Sequence, residues 1–330
     1  MPPNAQTTVT GRVTTPNFLT SFSKFHPVTG FNPKQFNQLA ILIPGVQGSG
    51  KTSLVSTSSD VLRLDFDGSK DNNPNSVASA IQFCKGPSDY RQLVEVVETL
   101  EQLARDGKPR PTFVCLDTVD TFLESVKTFV VQNARDKRAQ FNAEQAANIL
   151  TIDDIPGGYG WQKVYEHAEP IIGRIIRAGY GFIMFCYFYE EAITSTDARG
   201  QDKVTYRLNH SIPPKFWHKI KGLVDYVCGV GSRIETEIIY GEPRKDGNGN
   251  PIKDGSGALI REIKDRVPRT IHYARFWEND RGNQTLKQRI PLPDEIILPS
   301  HPENPRLPAP GNFDLLRAAY NTALASISPS

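Results

Sequence analysis

Unbroken apolar runs alternate with amphipathic stretches along the first half of the chain. Residues 38–45 (QLAILIPG) are apolar and run into glycine, 61–68 (VLRLDFDG) and 112–120 (TFVCLDTVD) end in acid, and 180–190 (YGFIMFCYFYE) form the longest run. Each is shorter than the roughly 18 residues a membrane-spanning helix needs. Each also has the continuous character of a parallel strand covered on both faces. Between them, residues 51–58 start a helix. Residues 88–107 place Leu93, Val96, Val97, Leu100 and Leu103 at helical spacing, with Ser88 as N-cap and Gly107 beyond the end. From Thr121 to about Leu150 the pattern is helical but charged and rich in Gln, Asn and Ala, which predicts a partly solvent-exposed stretch. After a loop at 153–161, a helix runs to Arg177. Strands alternating with helices predict an α/β fold, a three-layer sandwich with a mostly parallel central sheet.

The pattern changes in the second half. Residues 194–209 read as a hairpin or a mobile loop, and 215–230 as a short helix leading into a strand. Residues 232–240, 258–265 and 269–277 read as further strands, the first two joined by the glycine-rich 241–257, so a C-terminal antiparallel extension is expected. Residues 299–310 are proline-rich, and 312–325 form a terminal helix. The division that follows is an N-terminal arm at 1–37, a core at 38–298 with insertions at 121–158 and 241–257, and a tail at 299–330. The arm carries Phe18, Phe22, Phe25 and Phe31, expected to pack on the main body. No internal repeat is read.

Composition adds limits rather than a function. The chain has 330 residues, 38% apolar, and a formal charge of +2, enough for a sizeable core and without a polybasic tail. The N-terminus is polar and lacks the apolar stretch of a signal peptide. Cys84, Cys115, Cys186 and Cys228 are far apart, three of them in strand-like runs, which predicts buried thiols in a reducing, cytoplasmic compartment and neither a disulfide framework nor a zinc site. His167 and His272 read as structural.

The chemistry concentrates at residues 45–52, GVQGSGKT, which satisfy GxxxxGK[ST] between a buried strand and a helix. Glycines let backbone amides curl around phosphate oxygens, Lys51 reaches the β- and γ-phosphates, and Thr52 can ligate Mg²⁺. The expected nucleotide-binding residues are Gly45, Val46, Gln47, Gly48, Ser49, Gly50, Lys51, Thr52 and Ser53. Asp117, at the end of its strand, is placed to hold the Mg²⁺ shell with Thr52. Asp120 is either a second metal-shell group or a helix-start residue. Asp65 and Asp67 end another strand, where an acid can deprotonate the attacking water; capping of the following turn is the alternative.

These motifs resemble the phage nucleotide-binding proteins related to RecA, including the Sak4-type single-strand annealing proteins, over roughly residues 38–298. The resemblance implies a RecA-like P-loop ATPase using ATP and Mg²⁺. It matches residues 64–68 (LDFDG) to the strand that bears the catalytic acid, which selects Asp67, an aspartate where relatives carry glutamate. It matches 116–122 (LDTVDTF) to the metal-holding strand. It matches 183–191 (IMFCYFYEE) to the strand whose tip senses the γ-phosphate, where Tyr187, Tyr189 or Glu190 must serve, with buried strand aromatics as the plain alternative. It matches 286–293 (LKQRIPLP) to a basic segment, so that Lys287 and Arg289 would reach a neighbouring subunit's γ-phosphate; a solvent-facing basic pair is the alternative. A homo-oligomer, ring or filament, follows from that.

Lys203, Arg207, Lys215, Lys219 and Lys221, with Phe216 and Trp217, form a basic and aromatic set suited to single-stranded DNA. Asp197, Asp202 and Asp225 are interspersed, and a solvated surface with Trp217 packed inward is the competing reading. The expected function is slow Mg²⁺-dependent ATP hydrolysis coupled to single-stranded DNA in phage recombination or annealing, in the host cytoplasm, with a single-strand-binding or other phage protein as a further partner. The alternative is a nucleotide-gated structural or regulatory protein with little DNA binding. A small-molecule kinase is disfavoured by the lack of an arginine-rich lid.

Overall fold

The computed structural model describes residues 34–68, 77–83, 86, 88–136, 148–196, 202–276, 292–293, 295–300, 309 and 311–327. From Gln35 onward they belong to one compact unit. The strands are β1 (Ala40–Gly45), β2 (Val61–Asp65), β3 (Ser79–Gln82), β4 (Phe113–Asp117), β5 (Gly181–Thr196), β6 (Asp202–His210), β7 (Tyr226–Pro243), β8 (Arg261–Phe276) and β9 (Glu295–Leu298). The helices are α1 (Lys51–Ser56), α2 (Asp89–Arg105), α3 (Val119–Asp136), α4 (Gly160–Arg177), α5 (Pro214–Ile220) and α6 (Asn312–Ile327).

Among the described residues the strands form one sheet in the order β3-β2-β4-β5-β1-β7-β8-β9, with β6 paired to β5. The segment from β3 to β7 is parallel, and β8 and β9 add antiparallel. This is the α/β P-loop NTPase fold with a mixed sheet. It puts β5 between β1 and β4, so the phosphate-loop strand and the acid-ended strand flank a common neighbour.

The apolar runs are continuous because the central strands are covered on both faces. Ala40, Leu42, Val114, Leu116, Phe182 and Met184 face one layer, packed with α2, α3, α4 and α5. The residues in alternate register, Ile41, Ile43, Phe113, Cys115, Ile183 and Phe185, face the other, packed with α1 and α6. Each such burial contributes about 1.5–3 kcal/mol. Cys115, Cys186 and Cys228 are buried free thiols; Cys84 lies outside the described residues.

Several details refine the pattern reading. The stretch from Thr121 is helical and partly exposed as far as Asp136, with residues 137–147 outside the described residues; α3 starts at Val119, and Val119, Phe122, Leu123, Val126 and Val130 form a buried stripe. Its polar residues occupy the outer face, which is ordinary for an amphipathic helix. Of the two alternatives for residues 194–209 the hairpin holds: they fall within the antiparallel β5–β6 pair, which runs from Phe188↔His210 to Thr196↔Asp202, with 197–201 outside the described residues. The strands expected at 232–240, 258–265 and 269–277 are parts of one long β7–β8 ribbon, which passes through Gly231 and Pro268 without a break. Pro268 pairs with Thr236 outside the stretch His272–Arg275 that β9 covers, so among the described residues it lies where β8 has an open edge, the place in a sheet that tolerates proline.

The tip of that ribbon contains a repeat: Lys245–Ile252 (KDGNGNPI) and Lys253–Ile260 (KDGSGALI). Asp246 N–H donates to Asn250 O, and, eight residues on, Asp254 N–H donates to Ala258 O, both at 2.8 Å. Asp246 Oδ1 accepts from the amides of Asn248 and Asn250, and Asp254 Oδ1 from those of Ser256 and Ala258. The Ser256 hydroxyl, which donates to Asp254 Oδ1 at 2.6 Å, and then these amides hold the Asp254 carboxyl below the usual aspartate range, and the amides of Asn250 and Asn248 do the same for Asp246. Along the ribbon, Ile234, Ile238, Tyr240 and Ile263 are exposed apolar residues, Ile234 to 75%. No helix among the described residues is long and apolar enough to cross a membrane.

Candidate nucleotide site

β1 ends at Gly45, and the loop from Val46 to Gly50 leads straight into α1. Gly50 has φ 83°, a left-handed conformation that favours glycine where the chain turns into the helix. At Gly45 the constraint is proximity: an added Cβ would lie 2.5 Å from Ser49 Oγ and 2.9 Å from Val230 O. Val46, Gln47 and Gly48 are exposed, whereas Ser49 and Lys51 are buried.

Two features of the loop fit an anionic ligand. Ser49 Oγ is buried and has no hydrogen-bond partner among the protein groups. Lys51 Nζ donates to Gly45 O at 2.7 Å and Val46 O at 3.0 Å, and lies 4.6 Å from the centroid of the Tyr187 ring. The ammonium is thus folded back on loop carbonyls that a phosphate oxygen can replace. Burial lowers the Lys51 pKa, opposed by Cys186 and by the carboxylates of Asp117, Asp120 and Asp67.

β4 carries Asp117 to the same place. Thr52 Oγ1 donates to Asp117 Oδ2 at 2.9 Å, joining the residues expected to share the metal. The Asp117–Thr118 peptide is cis. Asp117 is 2% exposed. Burial raises its pKa, against the lowering effects of the Thr52 hydrogen bond and of Arg63. No group of three or more His, Cys, Asp or Glu side chains suited to a metal occurs among the described residues. One hydroxyl and one carboxylate nevertheless fit Mg²⁺, which keeps waters and takes oxygens from substrate phosphates.

Asp65 and Asp67, two residues apart in the chain, part company in the fold. Asp65 is fully buried, and its Oδ1 accepts from the amides of Asp67 at 3.1 Å and Gly68 at 2.9 Å, so it caps the turn. Asp67 is half-exposed, and its Oδ2 accepts from Tyr187 Oη at 3.3 Å. Tyr187 therefore bridges Lys51 and Asp67. Burial first, then the Asp67 charge, pushes the Tyr187 pKa up to about 12, which keeps its hydroxyl a donor at working pH. Asp120 is in the first turn of α3 and accepts from the Tyr187 amide at 3.3 Å. Tyr189 is exposed on the β5 extension.

Sequence reasoning missed Arg63 and Ser211. Arg63 is a buried cation beside Asp117, signalled only as a lone basic residue inside an apolar strand. Ser211 Oγ accepts from Tyr187 N–H at 3.0 Å, and Ser211 N–H donates to Tyr187 O at 2.8 Å. Lys287 and Arg289 lie outside the described residues. Lys203 and Arg207 sit on β6, in register with Ser195 and Glu191. Lys215 and Lys219 are exposed on α5, and Lys221 follows it half-buried; Lys219 pairs with Glu169 at 3.3 Å. Trp217 is packed against the core and lies 4.7 Å from the His210 ring. Asp225 is no surface acid: it is buried, and its Oδ2 accepts from Ala40 N–H at 2.9 Å, fixing the start of β1.

A phosphate loop between β1 and α1, with the β4 acid hydrogen-bonded to its threonine, defines a P-loop nucleoside triphosphatase domain. A family model described as an AAA domain matches residues 37–254, more than half of the chain, and the chain belongs to that family. No curated protein matches it. Among solved structures, that of the RadB recombinase is similar at 11% identity over 71% of this chain and 86% of that chain, with a TM-score of 0.30, a likeness too loose to carry an argument.

Proposed function

We propose that the chain is an Mg²⁺-dependent ATPase whose hydrolysis is coupled to single-stranded DNA, acting in phage recombination or strand annealing as a homo-oligomer. The observation that carries it is the meeting of Lys51, Thr52, Asp117 and Asp67 at the carboxyl ends of neighbouring strands. Loop amides and Lys51 bind the phosphates, Ser49 Oγ gains its missing partner, and Thr52 with Asp117 holds Mg²⁺. When bound, Mg²⁺ would offset the negative charge on the phosphate oxygens as the phosphoryl group transfers. Asp67 accepts the proton of the attacking water as ATP is cleaved to ADP and phosphate. Tyr187 holds Asp67 until nucleotide enters. Lys287 and Arg289 complete a neighbouring subunit's site.

The chain path supports coupling to DNA. Tyr187 exchanges hydrogen bonds with Ser211, which joins β6 to α5 and its lysines, so a change at the γ-phosphate reaches the basic surface through one residue. Trp217 is spent on packing, so the contacts belong to Lys203, Arg207, Lys215, Lys219 and Lys221 and are electrostatic. Labelled single-stranded DNA should bind more tightly with ATP than without nucleotide. The combined Lys215→Ala and Lys221→Ala variant should flatten the slope of log affinity against log salt by about 1.4, or about 0.7 per lost phosphate contact. An unchanged slope removes α5 from the interface.

Two further results are expected at the site. Asp67→Ala should lower turnover by about 10²–10⁴-fold with ATP binding retained, as loss of a general base requires; a variant with the wild-type rate would move the base elsewhere. Asp117 must be ionised to hold a divalent cation, and burial raises its pKa above the ordinary 3.8. The Mg²⁺-dependent part of nucleotide affinity is therefore lost as pH falls, and lost at a higher pH than the protonation of an exposed aspartate would set. Affinity in EDTA across the same range is the control, and a metal-dependent part that persists to the exposed-aspartate range would contradict the assignment.

The exposed apolar residues of the β7–β8 ribbon favour a second reading, a nucleotide-gated structural or regulatory component that binds a protein. A heteromeric complex that forms with ATP and ignores DNA would select it.

A further inference from the structure

Asp65 and Asp117 are register partners on adjacent parallel strands, so β2 and β4 bring two buried carboxylates side by side at the floor of the site. Left alone they would repel in a medium of low dielectric. Arg63, two residues before Asp65 and therefore on the same face of β2, lies between them. Its side chain is 4% exposed, with Nη1 3.4 Å from Asp117 Oδ2 and Nη2 3.8 Å from Asp65 Oδ2. The same Asp117 oxygen takes the Thr52 hydroxyl, and the other Asp65 oxygen caps the turn that carries Asp67. A continuous set of contacts thus runs from Thr52 through Asp117, Arg63 and Asp65 to Asp67.

We propose that Arg63 is a positioning residue that sets both acids of the site at once, holding Asp117 toward Thr52 for the metal and Asp65 in the posture that fixes the Asp67 turn. The proposal rests on the roles given above to Asp117 and Asp67. The two-nitrogen fork is essential, because the acids sit on different strands and one ammonium cannot face both in the same geometry. Removing the fork leaves two adjacent buried charges unpaired.

The test compares wild type, Arg63→Lys and Arg63→Met. Binding of a fluorescent non-hydrolysable ATP analogue is followed in EDTA and through a Mg²⁺ titration. Amide hydrogen exchange of residues 61–68 is read on the nucleotide-free proteins. In EDTA all three should bind the analogue within about threefold of one another, because the phosphate loop is untouched. The Mg²⁺ needed for half-saturation should rise about tenfold or more in Arg63→Met and by an intermediate factor in Arg63→Lys, which keeps charge without the fork. The Asp67 and Gly68 amides should exchange about tenfold faster in Arg63→Met. A Mg²⁺ requirement unchanged in both variants, or amides that keep their protection, overturns the proposal. A loss of EDTA affinity as large as the loss with Mg²⁺ also overturns it, since that marks a general structural role. If Arg63→Met does not fold, Asp65→Asn cuts the bridge from its other end, and faster Asp67 exchange with a raised Mg²⁺ requirement is expected there. A wild-type protein that binds no analogue overturns the nucleotide reading, while the exchange comparison still decides the role of Arg63.

Discussion

Lys51→Ala should lower Mg²⁺-dependent ATP turnover by about 10²–10³-fold, the usual loss when one preorganised charge is removed from a site of developing negative charge. The same change should leave the fold in place. In the nucleotide-free protein the ammonium makes two hydrogen bonds to loop carbonyls, worth about 1.5–3 kcal/mol each for a charged donor. Its burial carries an opposing desolvation cost, the cause of its lowered pKa. These terms act in opposite directions, so the melting temperature should move by only a few degrees. Arginine is no substitute, because a planar fork cannot occupy the place of a compact ammonium against the Tyr187 ring. A variant that melts like wild type and hydrolyses ATP at the wild-type rate would detach the loop from catalysis.

Phe113→Ala should cost about 3–5 kcal/mol of stability and lower the melting temperature by roughly 10 °C. Phe113 opens β4 and is fully buried, with ring centroids 5.5 Å from Phe36 and 5.2 Å from Phe313. The Arg317 guanidinium of α6 lies 5.7 Å from the same ring and is tied to Asp60 at 2.8 Å. One side chain thus joins the sheet, the turn before β1 and the C-terminal helix, and its loss leaves a cavity that three separate elements would have to close. Leu150→Ala is the control, since Leu150 is 70% exposed and should change stability by less than about 0.5 kcal/mol. Equal melting temperatures for the two variants would remove Phe113 from the centre of the second core.

The central sheet was legible because parallel strands covered on both faces write unbroken apolar runs into the chain, and β1, β4 and β5 do so. The phosphate loop was legible because Gly45, Gly48 and Gly50 and the Lys51-Thr52 pair occur at a spacing set by backbone curvature. Strand order is written nowhere locally, which is why Tyr187 stood level with Tyr189 and Glu190: only the insertion of β5 between β1 and β4 turns one of them toward Lys51. Arg63 was hidden for a related reason, since its partner Asp117 belongs to a strand more than fifty residues away. β3 and β9 are four residues each and mostly not buried, too short to show a period. Gly231 and Pro268 suggested breaks that the ribbon does not make, because a strand with an open edge tolerates proline. The repeat at 245–260 is written in the residues themselves, but its glycines also carry the signature of an irregular loop.

The most direct test of the account is steady-state ATP turnover by the purified protein with Mg²⁺, titrated with single-stranded DNA. The account predicts slow basal turnover that requires Mg²⁺ and rises with DNA as Tyr187 relays between the nucleotide and the β6–α5 junction. A protein that binds ATP yet keeps one rate across the whole DNA titration would contradict the coupling and leave the nucleotide site serving a protein partner instead.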